Sequence, residues 1–414
     1  MQIPVRGSTW SEIAPQLVAT KEKDFSWRRG RMAFYFYFLD DQLAEVQKNA
    51  YSAFWTENNL GKGAFPSLAK LEADVIAFSL SLFHAPAGAA ATFTSGGSES
   101  IFLALQTARD RARTERGITQ PNFVVPRTAH PAFNRAGHAL GIEIRRTPTI
   151  RPDFRADVKG MESRIDADTI GLVGSAPNYP YGVFDPIEEL GKLAQERSLW
   201  LHVDACVGGY LSPWVKRLGY PVPEWDFAVP GVTSISADLH KYGMAPKGAS
   251  LMLLRSDEIK QKHQKFDFRD WERGQYATFV MQGTRPGGAV AAAWAVIQHL
   301  GEEGYLRCAR LIMDAKRQLV EGVNQIPGLA VLEPNELCIF VTRSVDPELD
   351  IGAVSDALFA RGWYVGRQAE PPGIHMALNP VHHESVGQYL ADLRASVEEV
   401  RERKAVGKTA GQTY

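Results

Sequence analysis

The stretch Val232-Thr233-Ser234-Ile235-Ser236-Ala237-Asp238-Leu239-His240-Lys241-Tyr242-Gly243 decides how the rest of the chain is read. Its first half has the β-branched and apolar content of a short strand, and it runs into a polar turn. Lys241 sits in that turn beside His240, among aromatic and apolar groups. Partial desolvation at such a place lowers a lysine's pKa and favours imine formation. A surface lysine in a turn would look the same in isolation, so the weight falls on what else the chain carries.

Upstream, His202-Val203-Asp204-Ala205-Cys206 closes an apolar run that begins at Leu199. A carboxylate at the carboxyl end of a buried strand has to be paired, solvated or functional, because an isolated buried charge is costly. A protonated pyridine nitrogen is one fitting partner, and a turn cap is the plain alternative. Further upstream, Thr94-Ser95-Gly96-Gly97-Ser98-Glu99-Ser100 precedes a helical run over 101–113. Small residues at a helix start leave backbone N–H groups free for an anion, aided by the helix dipole. The pattern is not GxxxxGK[ST], which disfavours a nucleoside triphosphate. His130, in Thr128-Ala129-His130-Pro131-Ala132-Phe133, adds a ring able to stack. In chain order, a phosphate cradle, a stacking ring, a pyridinium partner and an imine-forming lysine each meet a different part of one cofactor, pyridoxal 5'-phosphate (PLP). Lys241 then carries it as a Schiff base, and the substrate is an amine.

Around these sites, β-rich runs alternate with helical ones. Residues 123–125, 142–144, 170–173 and 199–203 read as strands, and 187–195 as an amphipathic helix introduced by Asp185-Pro186. Helical spacing also holds over 40–54 and 67–82. Such alternation argues for a mainly parallel sheet covered by helices on both faces, with ligands beyond the carboxyl ends of its strands. After Pro286-Gly287-Gly288, a helical run over 289–325 leads to short strands at 330–332, 339–341 and 363–365. The expected class is therefore α/β, with an arm and helix over 1–60 contributing to a dimer interface, a large domain over 61–290 and a small α+β domain over 291–414. Residues 1–30 read as a partly ordered arm. The aromatic run Phe34-Tyr35-Phe36-Tyr37-Phe38 reads as a core strand or a patch covered by a second subunit. The polar tail over 404–414 reads as mobile or draped over a surface.

The 414 residues imply two or more packed units, and the formal net charge of −1 gives no reason to expect nucleic acid or an anionic membrane as partner. Three scattered cysteines without a CxxC argue against a disulfide framework or zinc site and for a reducing compartment. No apolar run approaches the roughly 20 residues that span a bilayer, and charges around the N-terminal apolar segment argue against a signal peptide. The cytoplasm is the expected location, and no metal is expected; His375, His382 and His383 read as packing or solvated residues.

The segments SGGSES, AHPAFN, HVDACVGGYL, GVTSISADLHKYGMAPKGAS and GTRPGG resemble the sphingosine-1-phosphate lyase branch of the group II decarboxylase-like, fold-type I PLP enzymes, from about Gly30 to the tail. The resemblance implies the PLP-dependent transferase-like fold and a set of roles. Lys241 is the Schiff-base lysine, Asp204 the pyridine-nitrogen partner and His130 the stacking residue. Gly97, Ser98 and His240 hold the cofactor phosphate, with Gly283 and Thr284 completing the cradle from the other subunit of a homodimer. Asn178 and Tyr181 line the reactive side. The implied reaction breaks the Cα–Cβ bond of a 2-amino-3-hydroxy phosphate ester, as in a retro-aldol, giving a long-chain aldehyde and phosphoethanolamine. Tyr181 and Lys247, with Lys241 once released, stand near the hydroxyl; Tyr37, Lys247 and Arg367 stand near the substrate phosphate.

One departure bears on the substrate. Members of the branch carry a phosphate-binding histidine where this chain has Gly61, in Asn58-Asn59-Leu60-Gly61-Lys62-Gly63-Ala64-Phe65-Pro66. Either Lys62 supplies the missing charge or the substrate is another β-hydroxy amine. α-Decarboxylation of an amino acid is the rival chemistry on the same cofactor, and a cofactor-binding scaffold without catalysis is the non-enzymatic alternative.

Overall fold

The computed structural model describes residues 2–407. Its centre is a seven-stranded sheet of β1 (Ala90–Thr94), β2 (Asn122–Pro126), β3 (Glu143–Thr147), β4 (Thr169–Ser175), β5 (Trp200–Asp204), β6 (Ser234–Ala237) and β7 (Ser250–Leu254), in the order β1-β7-β6-β5-β4-β2-β3. Strands β6, β5, β4, β2 and β3 are parallel, and β7 alone runs against its neighbours β6 and β1. All residues of β1, β2, β4, β5, β6 and β7 are buried. That is the condition of a sheet covered on both faces, and it explains the near-continuous apolar runs. The helices Gly97–Arg116, Ala132–Leu140 and Ile187–Glu196 lie among the covering elements.

The C-terminal part holds a four-stranded antiparallel sheet of β10 (Leu329–Val331), β11 (Ile339–Ser344), β12 (Gly366–Ala369) and β13 (Pro372–Ala377), in the order β10-β11-β13-β12. A two-stranded ribbon, β8 (Phe266–Phe268) and β9 (Tyr276–Thr278), precedes it. The helix Gly287–Asn324 connects the two regions and is broken at Gly301, where φ is 53°. Two contacts tie the sheets. Arg155 forms a bidentate pair with Glu336 at 2.6 and 3.0 Å, and Glu336 also accepts the Phe184 N–H. Gly182, at φ 71°, lies so close to Ile339 that a Cβ would stand 2.6 Å from its carbonyl oxygen.

Several sequence expectations need amendment. The 363–365 strand is displaced to Gly366–Ala369, because the turn at Gly362 (φ 84°) sends Trp363 inward, where its indole N–H reaches Asp392. The aromatic run 34–38 is not a strand, and all of it but Tyr35, which is 48% exposed, is at least partly covered by its own chain. Tyr35 takes φ 76°, which breaks the pleat, and Phe36 packs on Trp27 and His382 while Tyr37 packs on Tyr242. The arm contains a helix, Trp10–Ala19, started by a Thr9–Glu12 capping box and without a buried residue. Most of the expected mobile tail, 408–414, lies outside the described residues. No helix among the described residues is long and apolar enough to cross a membrane.

His202 on β5 has no exposed surface and bonds Ser234 and Ser236 of β6 at 2.8 and 3.2 Å. Burial holds its imidazole down at about 4, against the pull of the Asp204 charge. The unfolded chain takes up that proton near pH 6.5, so this contribution to stability is full above that pH and lost as pH falls toward 4. His202→Gln is expected to make stability, measured by urea unfolding, fall less steeply between pH 6.5 and 4, by close to one proton's worth of slope.

Candidate active site

The parallel strands deliver their last residues to one edge. Asp204 ends β5, Ser175 ends β4, His130 follows β2, the Ser95–Ser98 turn follows β1, and Lys241 follows β6. These residues line one cavity of about 390 Å3 together with Cys206, Asp238 and His240. Its position, beyond strand ends in an α/β sheet, is where such folds bind ligands.

Asp204 stands opposite Ser236 on β6 and keeps 9% exposure. Its Oδ1 accepts the Cys206 N–H at 3.1 Å and the Ser236 hydroxyl at 3.3 Å, while Oδ2 takes no hydrogen bond among the described residues. A buried carboxylate with one open oxygen fits a cationic ring N–H. His130 accepts the Ala132 N–H at Nδ1, at 3.1 Å, and burial holds its ring below the ordinary histidine range, so the ring facing the cavity is neutral.

The anion turn is built from its side chains. Glu99 reaches back to accept the N–H and hydroxyl of Ser95, both at 2.7 Å, and takes the Met281 N–H at 3.1 Å. The N–H groups of Gly97 and Ser98, at the start of the 20-residue helix Gly97–Arg116, have no partner among the described residues. They are the donors that a phosphate would take. Gly97 is required by space: a Cβ there would lie 2.7 Å from Cys206 Sγ and 3.0 Å from both Asp238 oxygens. His240 closes the cradle, its Cε1 3.4 Å from a Cβ built on Gly96. These open donors and the open Asp204 oxygen suit PLP.

Lys241 differs from the expectation in one respect. Burial pulls its ammonium down, but the Asp238 carboxylate 3.0 Å from Nζ outweighs it, and Lys241 lies well above the ordinary lysine value. Free Lys241 is therefore charged. Asp238 was not among the residues singled out from sequence, although its place three residues before Lys241 in one turn was a signal. Tyr179, which lines this cavity and the next, was also missed, having only its position after Asn178 to mark it.

Other expected site residues fall elsewhere. Asn178 is buried under the site, accepting the Tyr181 N–H and donating to the Phe154 carbonyl. Tyr181 stacks on Phe154 at 4.0 Å and donates to the Glu370 carbonyl at 2.5 Å; neither lines the Lys241 cavity. Lys247 donates to the His240 carbonyl at 3.1 Å with its Nζ 4.7 Å from the Tyr37 ring centroid, and burial together with the Lys241 charge holds it down at about 8. Arg367 lines a neighbouring cavity of about 490 Å3 and is ion-paired with Asp356. Gly283 and Thr284 line neither cavity of their own chain; Thr284 accepts from the Asn58 side chain. Lys62 is held at 2.7 Å by Glu72, which is buried and also engages Asn59 and Arg285.

The sequence profile of the pyridoxal-dependent decarboxylase conserved domain matches residues 49–339. A sphingosine-1-phosphate lyase of Oryza sativa subsp. japonica is 38% identical over 97% of this chain and 75% of its own length. One of Arabidopsis thaliana is 41% identical over 96% and 74%. The chain belongs to the sphingosine-1-phosphate lyase branch of the pyridoxal-dependent decarboxylase family. A Burkholderia pseudomallei K96243 sphingosine-1-phosphate lyase structure matches with a TM-score of 0.93 and 35% identity, over 98% of this chain and 94% of that one. Lactobacillus brevis glutamate decarboxylase, 20% identical with a TM-score of 0.83 over 96% and 95% of the two chains, shares the fold. PLP is the cofactor of this family, and the open donors described above fit it.

Gly97→Ala is expected to weaken PLP binding by about tenfold or more in a fluorescence titration, since Cys206 and Asp238 must both shift. Gly61→Ala, whose Cβ meets nothing nearer than 3.8 Å, is expected to leave folding and PLP affinity unchanged.

Proposed function

We propose that this chain is a PLP-dependent carbon–carbon lyase cleaving the Cα–Cβ bond of a phosphorylated sphingoid base, with sphingosine-1-phosphate as the reference substrate, to a fatty aldehyde and phosphoethanolamine. The observation that carries this reading is likeness over nearly the whole chain to proteins of that name. When bound, the cofactor supplies a ring that accepts the electron pair of the broken bond. The chain's part is placement: Asp204 keeps a cation opposite its open oxygen, His130 offers a neutral ring face, and Gly97, Ser98 and His240 hold the phosphate end.

The cations bear on where the anionic end of a substrate is held, not on which bond breaks, because a carboxylate that leaves as carbon dioxide needs no ion pair. In the adjoining cavity, Arg367 is paired with Asp356 and Arg127 with Glu370, and Arg146 donates to three backbone carbonyls and Asn134. Lys247, bonded to one carbonyl and lying over the Tyr37 ring, is the better anchor for a substrate phosphate. Tyr181, sequestered on Glu370, is a poor acceptor for the hydroxyl proton; Lys247, near 8, can hold or release a proton near neutrality. The neighbouring cavity, walled by Phe34, Pro131 and Pro180, offers the alkyl chain an apolar surface.

We also read the working unit as a homodimer. Gly283 and Thr284 line neither cavity of their own chain, and the nearby ribbon exposes Phe266, Phe268 and Trp271 at 46–52%. A partner covering that patch would receive both residues. Three free, buried cysteines fit a cytoplasmic location.

Incubated with sphingosine-1-phosphate and with a panel of amino acids, the PLP-loaded protein is expected to release fatty aldehyde from the first and no carbon dioxide from the second. Carbon dioxide without aldehyde would replace this reading with decarboxylation. Lys247→Ala is expected to raise KM for the phosphorylated base by about tenfold or more, and to lower kcat for both the phosphorylated and the unphosphorylated base.

A further inference from the structure

Asp238 is 2% exposed, and its Oδ1 has no partner within hydrogen-bonding geometry among the described residues. Its charge is favoured inside the protein chiefly by two groups at Oδ2, Lys241 Nζ at 3.0 Å and His240 Nε2 at 3.6 Å, with a smaller contribution from the Ser250 hydroxyl. The main chain repeats the tie, since the Lys241 N–H donates to the Asp238 carbonyl at 3.1 Å. On its other side Asp238 backs onto the phosphate turn, within 3.0 Å of where a Cβ on Gly97 would stand. The carboxylate thus lies between the two halves of the cofactor cradle and is committed to the lysine, whereas Asp204 keeps an oxygen open to the cavity.

We propose that Asp238 is the positioning residue of Lys241, holding the amine as an ammonium at the cavity wall whenever it carries no covalent partner. The inference rests on the reading of Lys241 as the imine lysine. A lysine that must leave and return is then always released to one place and in its acid form, ready to give a proton. The other groups around Nζ do not explain this. Cys206 and Cys338 are thiols that burial keeps neutral, Tyr37 is a phenol, and Lys247 is a second cation that opposes the charge. His130 and His240 are held by burial toward their neutral forms. The carboxylates are Asp204 and Asp238, and Asp238 is the one in contact.

The test is the rate at which the full-length apo-protein captures added PLP between pH 6.5 and 9.5, read from imine absorbance. Capture needs the neutral amine, so the wild-type rate is expected to climb about tenfold per pH unit through the whole range. Asp238→Asn is expected to flatten within the range and to exceed wild type by about tenfold or more at pH 7, and Asp238→Glu to restore the climb. An Asp238→Asn profile parallel to wild type would overturn the proposal. A wild type that forms no imine at all would instead remove the cofactor reading of Lys241. Should Asp238→Asn not fold, Lys241→Met supplies the answer through stability. It leaves Asp238 buried without its cation, which raises that carboxyl's folded pKa, so the variant loses stability relative to wild type as pH rises from 4.5 to 7.5. A constant difference over that window would also overturn the proposal.

Discussion

The site depends on keeping a carboxylate charged at the buried end of a parallel strand. Asp204 ends β5 with the sheet beneath it, and an isolated charge there would be costly. The neighbouring strand makes it tolerable: Ser236, in register on β6, gives one hydrogen bond, and the turn after β5 gives the Cys206 N–H. Both fall on Oδ1. The charge is thereby held in place with one oxygen in reserve, which is the geometry a ring cation needs. Two residues earlier, the neutral His202 spans Ser234 and Ser236 and fixes the same pair of strands.

The second carboxylate, Asp238, has the opposite arrangement, with its accessible bonding taken up by Lys241 and His240. The two acids in one cavity are separated by their partners rather than by their chemistry. One is left open toward a ligand and the other is closed on the lysine. Gly97, in the phosphate turn, backs directly onto Asp238 and Cys206, which is why a side chain at that position is so poorly accommodated.

Much of this was legible in the chain. Alternating strands and helices marked the parallel sheet, and the strand-end positions of Asp204 and Lys241, with His130 and the Gly96-Gly97 turn, predicted residues that the fold does bring to one cavity. Period and turn chemistry are local, so they survive in sequence. What escaped is set by distant partners. The Lys241 charge state was misread because burial was weighed without Asp238. Lys62 looked like a spare cation until the fold supplied Glu72, and Arg367 until it supplied Asp356. Tyr181 has the right neighbours in sequence, yet the turn at Gly182 directs it to Glu370. The substrate's phosphate end is accordingly the least legible part, because Gly61 removes one group and the fold commits the apparent substitutes.

On this reading Lys241, and no other lysine, carries the cofactor. Borohydride reduction of the PLP-loaded protein, followed by mapping of the pyridoxyl group by peptide mass spectrometry, locates the attachment. The protein is expected to be yellow and to bleach on reduction, with the label on Lys241 and none on a Lys241→Ala variant. Label on Lys247 or another lysine, or equal cofactor retention by wild type and variant, would contradict it.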